Sequence, residues 1–295
     1  MSLFHVIGLG SMGLGMALSL RRAGHEVYGL DLNPAQVAKL EQAGGKPLTR
    51  EAPAADALIC VVLNAAQTEE ALFGAGGWVS HLKPGGTILS CATVAPDFAR
   101  AMEARAQAQG LHYLDAPISG GSVRAAEGTL SVMASGTAAA FDGAAEALAA
   151  MAQTVHRLGD QAGPGSAMKA VNQLLAGVHI AAMGEALGFA ASQGLELSRV
   201  LDVIKVSAGT SWMFENRAPH VIEADYTPRS TINIWPKDLG IVTDIASGAK
   251  LPLPLTETAL AQYRAAAEAG LGMEDDAAIT KLVASRAGLK LPGDK

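Results

Sequence analysis

Residues 6–17 read VIGLGSMGLGMA, an apolar run that stops at a glycine and gives way to a helical run. Gly8, Gly10 and Gly13 take the first, third and sixth positions of one hexapeptide, at the turn between a buried strand and a helix. That spacing limits what the chain can build there. The first glycine permits a tight turn, the second lets a ligand come close to the backbone, and the third lets helix and strand pack closely. Alone the pattern is weak: glycine is 33 of 295 residues, and chance gives about 0.4 matches in such a chain. Its position strengthens it. It occurs once, at the first strand-to-helix turn, and an acid, Asp31, closes the second strand EVYGLD.

The chain continues in the same rhythm. LFHVIGL (3–9), EVYGLD, ALICVVL and GTILSCAT read as strands separated by helical runs, and HYLDAPISG and LSVMASG as further strands. The run AAAFDGAAEALAAMAQTV reads as a helix between that pair and HRLG. Strands alternating with helices of this length predict an α/β fold with a Rossmann-type, doubly wound parallel sheet over 1–162. After Gly165 the pattern changes. A helix of nearly thirty residues is expected over about 165–193, with Pro164 before it and Gly194 past its end. Only helical patterns follow, so 163–295 reads as an all-α second domain.

A dinucleotide suits that first turn. The glycine loop and the helix N-terminus (Gly8, Leu9, Gly10, Ser11, Met12 and Gly13) would present N–H groups to a pyrophosphate. Asp31 would accept hydrogen bonds from the ribose hydroxyls and repel a 2′-phosphate, and DLNP has no arginine behind it. NAD is therefore expected over NADP. The competing reading is a glycine-rich turn with an ordinary surface aspartate.

Composition closes off other classes. A net charge of −6, with no lysine or arginine cluster, argues against nucleic acid as a partner. Cys60 and Cys91 lie in apolar runs without a CxxC, and read as reduced core cysteines of a cytoplasmic protein. No targeting segment is expected, and the uncharged run 170–184 is too short to span a bilayer, so no membrane partner is expected. The histidines show no spacing suited to a metal, and none is expected.

GPGSAMKAVNQLL (163–175) sets one lysine into an apolar helix, and Lys169 is the only full charge between Gln161 and Gly184. Asn172 lies three residues on, so both side chains can point at one pocket. A lysine there could move a proton if desolvation lowered its pKa, while the asparagine amide held a substrate oxygen. The spacing alone leaves open a lysine snorkelling from a helix edge. His179 would sit about 15 Å further along the axis and reads as a core or interface residue.

Four segments in order, GLGSMGLGMA, DAPISGGSVRAAEGTLSVMASG, GPGSAMKAVNQLL and KDLGIV, resemble the β-hydroxyacid dehydrogenase family, and the resemblance covers essentially the whole chain. It implies a Rossmann domain, a long interdomain helix, an all-helical C-terminal domain and a small hydroxyacid substrate. It also implies that Lys169 is the catalytic acid/base. Ser119, Gly120 and Gly121 match the loop that holds the substrate carboxylate, and Asn172 a second substrate contact. Leu63, Asn64, Thr93 and Lys237 match cofactor contacts, although the family often has proline or serine where Asn64 stands.

Within the family, SWMFENRAPHVIEADYTPRSTINIWPKDLG is similar to the L-threonate dehydrogenase subgroup, which implies NAD-dependent oxidation of L-threonate to 2-dehydro-L-erythronate. Trp212, Phe214 or Arg217 could shape such a pocket. Tartronate semialdehyde reduction and 3-hydroxyisobutyrate oxidation are the nearest alternatives, and a non-catalytic dinucleotide sensor is the alternative of another class. The long helix and apolar C-terminal half suggest a homodimer or homotetramer.

Overall fold

In the computed structural model, which describes residues 1–294, strands and helices alternate through the first half of the chain. β1 (Leu3–Ile7), α1 (Gly13–Arg22), β2 (Glu26–Leu30), α2 (Pro34–Gln42) and β3 (Lys46–Pro47) form the first half of a sheet. β4 (Ala55–Cys60), α3 (Ala65–Phe73), β5 (Leu82–Ser90), α4 (Pro96–Gln107) and β6 (His112–Asp115) complete it. The order is β3-β2-β1-β4-β5-β6 and every pair is parallel. Strand order reverses between β1 and β4, and ligands of such sheets bind beyond the strand ends at that point.

The strands read as unbroken apolar runs because both faces are covered. Ile59, Leu89 and Leu114 pack on one side with Met16, Leu20 and Phe141. Their neighbours Leu58, Ile88 and Tyr113 pack on the other with Leu72 and Met102.

A second sheet follows, built from β7 (Ile118–Ser119), β8 (Leu130–Ala134) and β9 (Ala152–Arg157), with α5 (Gly121–Glu127) and α6 (Ala138–Met151) between them. One strand expectation and one helix expectation change here. HYLDAPISG is two strands, because Pro117 has no N–H with which to continue a ladder. Ala116 N still donates to Ser90 O, while Met133 N donates to Pro117 O, so the chain passes from one sheet to the other at that proline. The helix expected to run through Val155 ends at Met151, and residues 152–155 are strand. Parallel pairing from Ser131 with Thr154 to Ala134 with Arg157 draws the β-branched Thr154 and Val155 into the ladder. The third strand also stops early, at Cys60, where the chain turns toward the Asn64 cap of α3.

α7 (Pro164–Ser192) is the long helix, within one residue of the expected bounds at each end. α8 (Leu197–Ile204), α9 (Trp212–Ile222), α10 (Ile234–Gly248), α11 (Pro254–Ala266) and α12 (Ile279–Arg286) follow. The chain divides into two compact units, 1–169 and 170 onward, and the division falls inside α7. As a whole, α7 is long and apolar enough to cross a bilayer, unlike the shorter run 170–184. One face of it instead forms the spine of a protein core: Ile180, Met183 and Leu187 pack with Phe214, Trp235, Leu239, Tyr263 and Ile279. Gly177 and Gly184 let the partners come close, since a Cβ would meet Leu239 at 2.8 Å or Ile279 at 2.9 Å.

Two adjacent buried carboxylates tie the loops of this helical unit together. Asp275 accepts from Arg229 N (3.0 Å) and Ala277 N (3.1 Å) and lies 2.8 Å from His220 Nδ1. Burial would raise its pKa, but the hydrogen bonds from His220 and the two amides outweigh burial and hold it at about 2. Asp276 accepts from Arg217 Nε (2.6 Å) and Trp235 Nε1 (3.1 Å). Burial pushes its pKa up, with Arg217 opposing.

Because the folded-state pKa of Asp275 lies below its unfolded value, its stabilisation is present above the ordinary aspartate range and is lost as pH falls toward 2. Asp275→Asn should lower Tm at pH 7 by roughly 5 °C or more. The gap to wild type should narrow as melts followed by circular dichroism are taken down to pH 2. A gap independent of pH would contradict this account.

Candidate active site

Several helices of this chain carry a side-chain cap, among them α2 (Asn33), α3 (Asn64), α6 (Thr137) and α9 (Ser211). α1 has none and no acid in its first turn, so its leading N–H groups are left for a ligand. The three glycines before it serve different ends. Gly8 has φ +89°, and a Cβ there would lie 2.3 Å from Val61 O; at Gly13 it would lie 1.8 Å from Gly8 O. Gly10 has neither constraint, for a Cβ there meets nothing within 4 Å. Packing requires Gly8 and Gly13, whereas Gly10 clears the space in front of the helix end.

Asp31 fixes the far side of the loop. Its Oδ2 accepts from Leu9 N (2.7 Å) and its Oδ1 from Asn33 N (2.7 Å), which holds the half-buried carboxylate at the end of β2. Each oxygen keeps a lone pair for a ribose hydroxyl. The open space before Gly10, the uncapped helix and the fixed acid together fit a dinucleotide. Ser11 is exposed and Met12 half-buried at the same helix end.

Leu63 and Asn64 follow β4, across the switch point from this loop. Leu63 is half exposed, and its N donates to Gln67 Oε1 (2.9 Å). Asn64 Oδ1 accepts from Gln67 N (2.9 Å), so this asparagine has a structural task in starting α3 that a serine could also perform. Thr93 is half-buried just past β5.

The lysine is placed by a buried carboxylate. Asp115, at the end of β6, accepts from Gly163 N (3.0 Å), Ser166 N (2.8 Å) and Ser166 Oγ (2.7 Å), and so caps the start of α7. Burial raises its pKa despite these bonds. Gly165 N donates to Ser135 Oγ (2.9 Å), adding a second tie. One turn on, Lys169 is 8% exposed, and its Nζ donates to Ile118 O at 2.9 Å. That carbonyl immediately precedes Ser119. Gly120 (φ +137°) and Gly121 (φ +75°) then turn the chain into α5 through conformations that favour glycine. Lys169 is thus brought beside the start of the Ser119–Gly120–Gly121 loop.

Beyond residue 169, a second polar group forms. Asn172 Nδ2 donates to Gln173 Oε1 (2.9 Å), and Gln173 Nε2 donates to Asp238 Oδ2 (2.5 Å). Asp238 Oδ1 pairs with Lys237 Nζ at 2.6 Å. Asn172 and Lys237, expected on separate grounds, are therefore joined through Gln173 and Asp238. Sequence reasoning passed over both of these. Each adjoins a residue it had singled out, but their 65-residue separation hid the pairing.

Among the aromatic and basic residues of the subgroup segment, Phe214 is buried in the helical core, Arg217 is bound to Asp276, and Trp212 is exposed. His179 is half-buried along a groove of about 460 Å³ lined also by Phe189, Ile204 and Thr210. Cys60 and Cys91 are buried free thiols, and burial pushes the Cys60 pKa up to about 12 and that of Cys91 higher still. Among the described residues, no cluster of three His, Cys, Asp or Glu could hold a metal ion.

Comparison with known proteins agrees with this geometry. Residues 4–159 match the family model described as the NAD binding domain of 6-phosphogluconate dehydrogenase. Residues 163–283 match the one described as NAD-binding of NADP-dependent 3-hydroxyisobutyrate dehydrogenase. The L-threonate dehydrogenase of Cupriavidus necator is 47% identical over 98% of this chain and 97% of its own. That of Escherichia coli K12 is 46% identical over 99% and 98%. A crystal structure of 3-hydroxyisobutyrate dehydrogenase from Salmonella typhimurium superimposes with a TM-score of 0.91 at 45% identity, covering 96% of this chain and 100% of that one. With a glycine loop and Asp31 fit for a dinucleotide and a buried lysine beside the Ser119 loop, the chain belongs to the β-hydroxyacid dehydrogenase family of NAD(P)-dependent oxidoreductases.

Proposed function

We propose that this protein is an NAD-dependent dehydrogenase that oxidises L-threonate to 2-dehydro-L-erythronate, with Lys169 as the general acid/base. The observation that carries the chemistry is the placement of Lys169. It is the only ammonium in the first turns of an apolar helix, buried and directed at the carbonyl next to Ser119. The substrate rests on identities of 46–47% over nearly the full length of two L-threonate dehydrogenases.

The chain's own residues divide the work. The α1 N-terminus, Gly10 and Asp31 hold the dinucleotide, with Leu63, Asn64, Thr93 and Lys237 as further contacts. When bound, NAD supplies the hydride acceptor. The Ser119 hydroxyl and the Gly120 and Gly121 amides hold the acid's carboxylate, and Asn172 holds a second oxygen. As the carbon-bound hydrogen leaves as hydride, Lys169 takes the hydroxyl proton, and it returns that proton in reduction. Asp115 caps the helix and so fixes where Lys169 stands.

The finer assembly is a homo-oligomer. Met168, Val171 and Leu175 recur at helical spacing on an exposed stripe of α7, and Phe189 is 69% exposed further along it. A stripe on one long helix can meet its own copy across a two-fold axis. V171E combined with L175E should shift the mass measured by light scattering to that of a monomer, with helical content retained. Unchanged mass would assign the contact to another face.

Lys169→Met should lower kcat by about 10²–10⁴-fold while NADH binding, followed by fluorescence, stays within about twofold. Near-wild-type turnover would remove the acid/base assignment. A parallel screen of L-threonate, 3-hydroxyisobutyrate and tartronate semialdehyde decides the substrate by kcat/KM. Asp31→Ser should narrow the preference for NAD over NADP by about tenfold or more, since it removes both the ribose acceptor and the repulsion of a 2′-phosphate. An unchanged cofactor ratio would show that Asp31 does not set it.

A further inference from the structure

The chain of contacts from Asn172 to Lys237 has a direction. Lys237 has only hydrogen-bond donors, and the Asp238 carboxylate it pairs with has only acceptors. Gln173 reaches the other oxygen of that carboxylate at 2.5 Å, so its NH₂ group must face Asp238. Its Oε1 then faces Asn172, which must answer with its own NH₂ at 2.9 Å. Asn172 Oδ1 is left turned away from Gln173. Gln173 and Asp238 are 8% and 2% exposed, so reversing the Gln173 amide would bury its oxygen against the carboxylate with little water to screen it.

We propose that Gln173 and Asp238 are positioning residues that set the polarity of Asn172, so that its carbonyl oxygen meets the substrate as an acceptor and selects a hydroxyl there. This rests on the proposed role of Asn172 as a substrate contact. An acceptor at that point favours a polyhydroxy acid over an analogue that lacks the hydroxyl, because the oxygen would otherwise be desolvated without a donor. It also leaves the substrate's carboxylate, which cannot donate, to the Ser119 loop. Lys237 enters through the same carboxylate, so one ion pair orients groups expected to serve the cofactor and the substrate.

The test is a set of variants measured for kcat, KM and Tm. Q173M keeps the bulk and the Asp238–Lys237 pair but removes both relay bonds. It should raise KM for L-threonate by about tenfold or more, with kcat changing less than about threefold and NADH binding unaltered. N172D sets an acceptor against Gln173 Oε1, which Asp238 prevents from turning. Combining N172D with D238N lets Gln173 turn round, donating to position 172 and accepting from position 238. The double variant should therefore recover at least about tenfold in kcat/KM over N172D alone, and this recovery should vanish in the Q173M background.

An unchanged KM in Q173M, or additive effects of N172D and D238N, would overturn the proposal. The same cycle read in Tm requires no substrate. If wild type fails to oxidise L-threonate, the substrate assignment falls, while coupling between positions 172 and 238 in Tm still reports on the relay.

Discussion

One buried carboxylate fastens the long helix to the sheet. Asp115 ends β6 and takes the Gly163 N–H just before α7, and the N–H and hydroxyl of Ser166 in its first turn, at 2.7–3.0 Å. A helix start exposes N–H groups that need acceptors, and an acid complements its positive end. Burial raises the pKa of that acid, a cost that the cap bonds reduce without cancelling. Three residues beyond Asp115, Ile118 O receives Lys169, and the next residue opens the Ser119 loop. A single short stretch, 115–121, therefore anchors the helix, seats the lysine and supplies the loop beside it. The spacing between these parts is set by covalent connection and needs no coordination of distant segments.

α7 extends that economy of means. Lys169 and Asn172 are three residues apart on one helix. Their separation along the axis is about 4.5 Å by helix geometry alone. Further along, the same helix turns small residues to its partners, and Tyr263 Oη donates to Gly177 O at 2.9 Å within the helical core. A residue needed for chemistry and residues needed for packing can share this element because they fall on different turns and faces.

What the sequence discloses and what it hides follow from range. The glycine loop, Asp31 and the bounds of α7 are legible because each is a local rule: a turn, a cap, a change of period. Lys169 is legible as an anomaly, one charge in an apolar helix. Residues 152–155 misled because their local pattern continues a helix, and only the pairing of Thr154 and Val155 with β8 makes them strand. Pro117 could have warned of the break in HYLDAPISG, since it cannot donate to a ladder. The Gln173–Asp238 bond and the Arg217–Asp276 pair join residues 65 and 59 positions apart, and no local spacing announces them.

The segment that most resembled one subgroup shows why a resemblance and a pocket wall are different things. Arg217, the backbone of Arg229 and the indole of Trp235 all donate to Asp275 or Asp276, two acids far along the chain. These bonds hold α9, the loop after it and the first turn of α10 in one arrangement. Lys237 and Asp238 follow Trp235 by two and three residues, so the direction of their side chains depends on that arrangement. Much of the segment's distinctiveness thus lies in the frame that aims the Lys237–Asp238 pair. Trp212 is exposed at the start of α9 and stands outside this network. A frame of buried charge tolerates little change, because removing one partner leaves the other desolvated and unpaired.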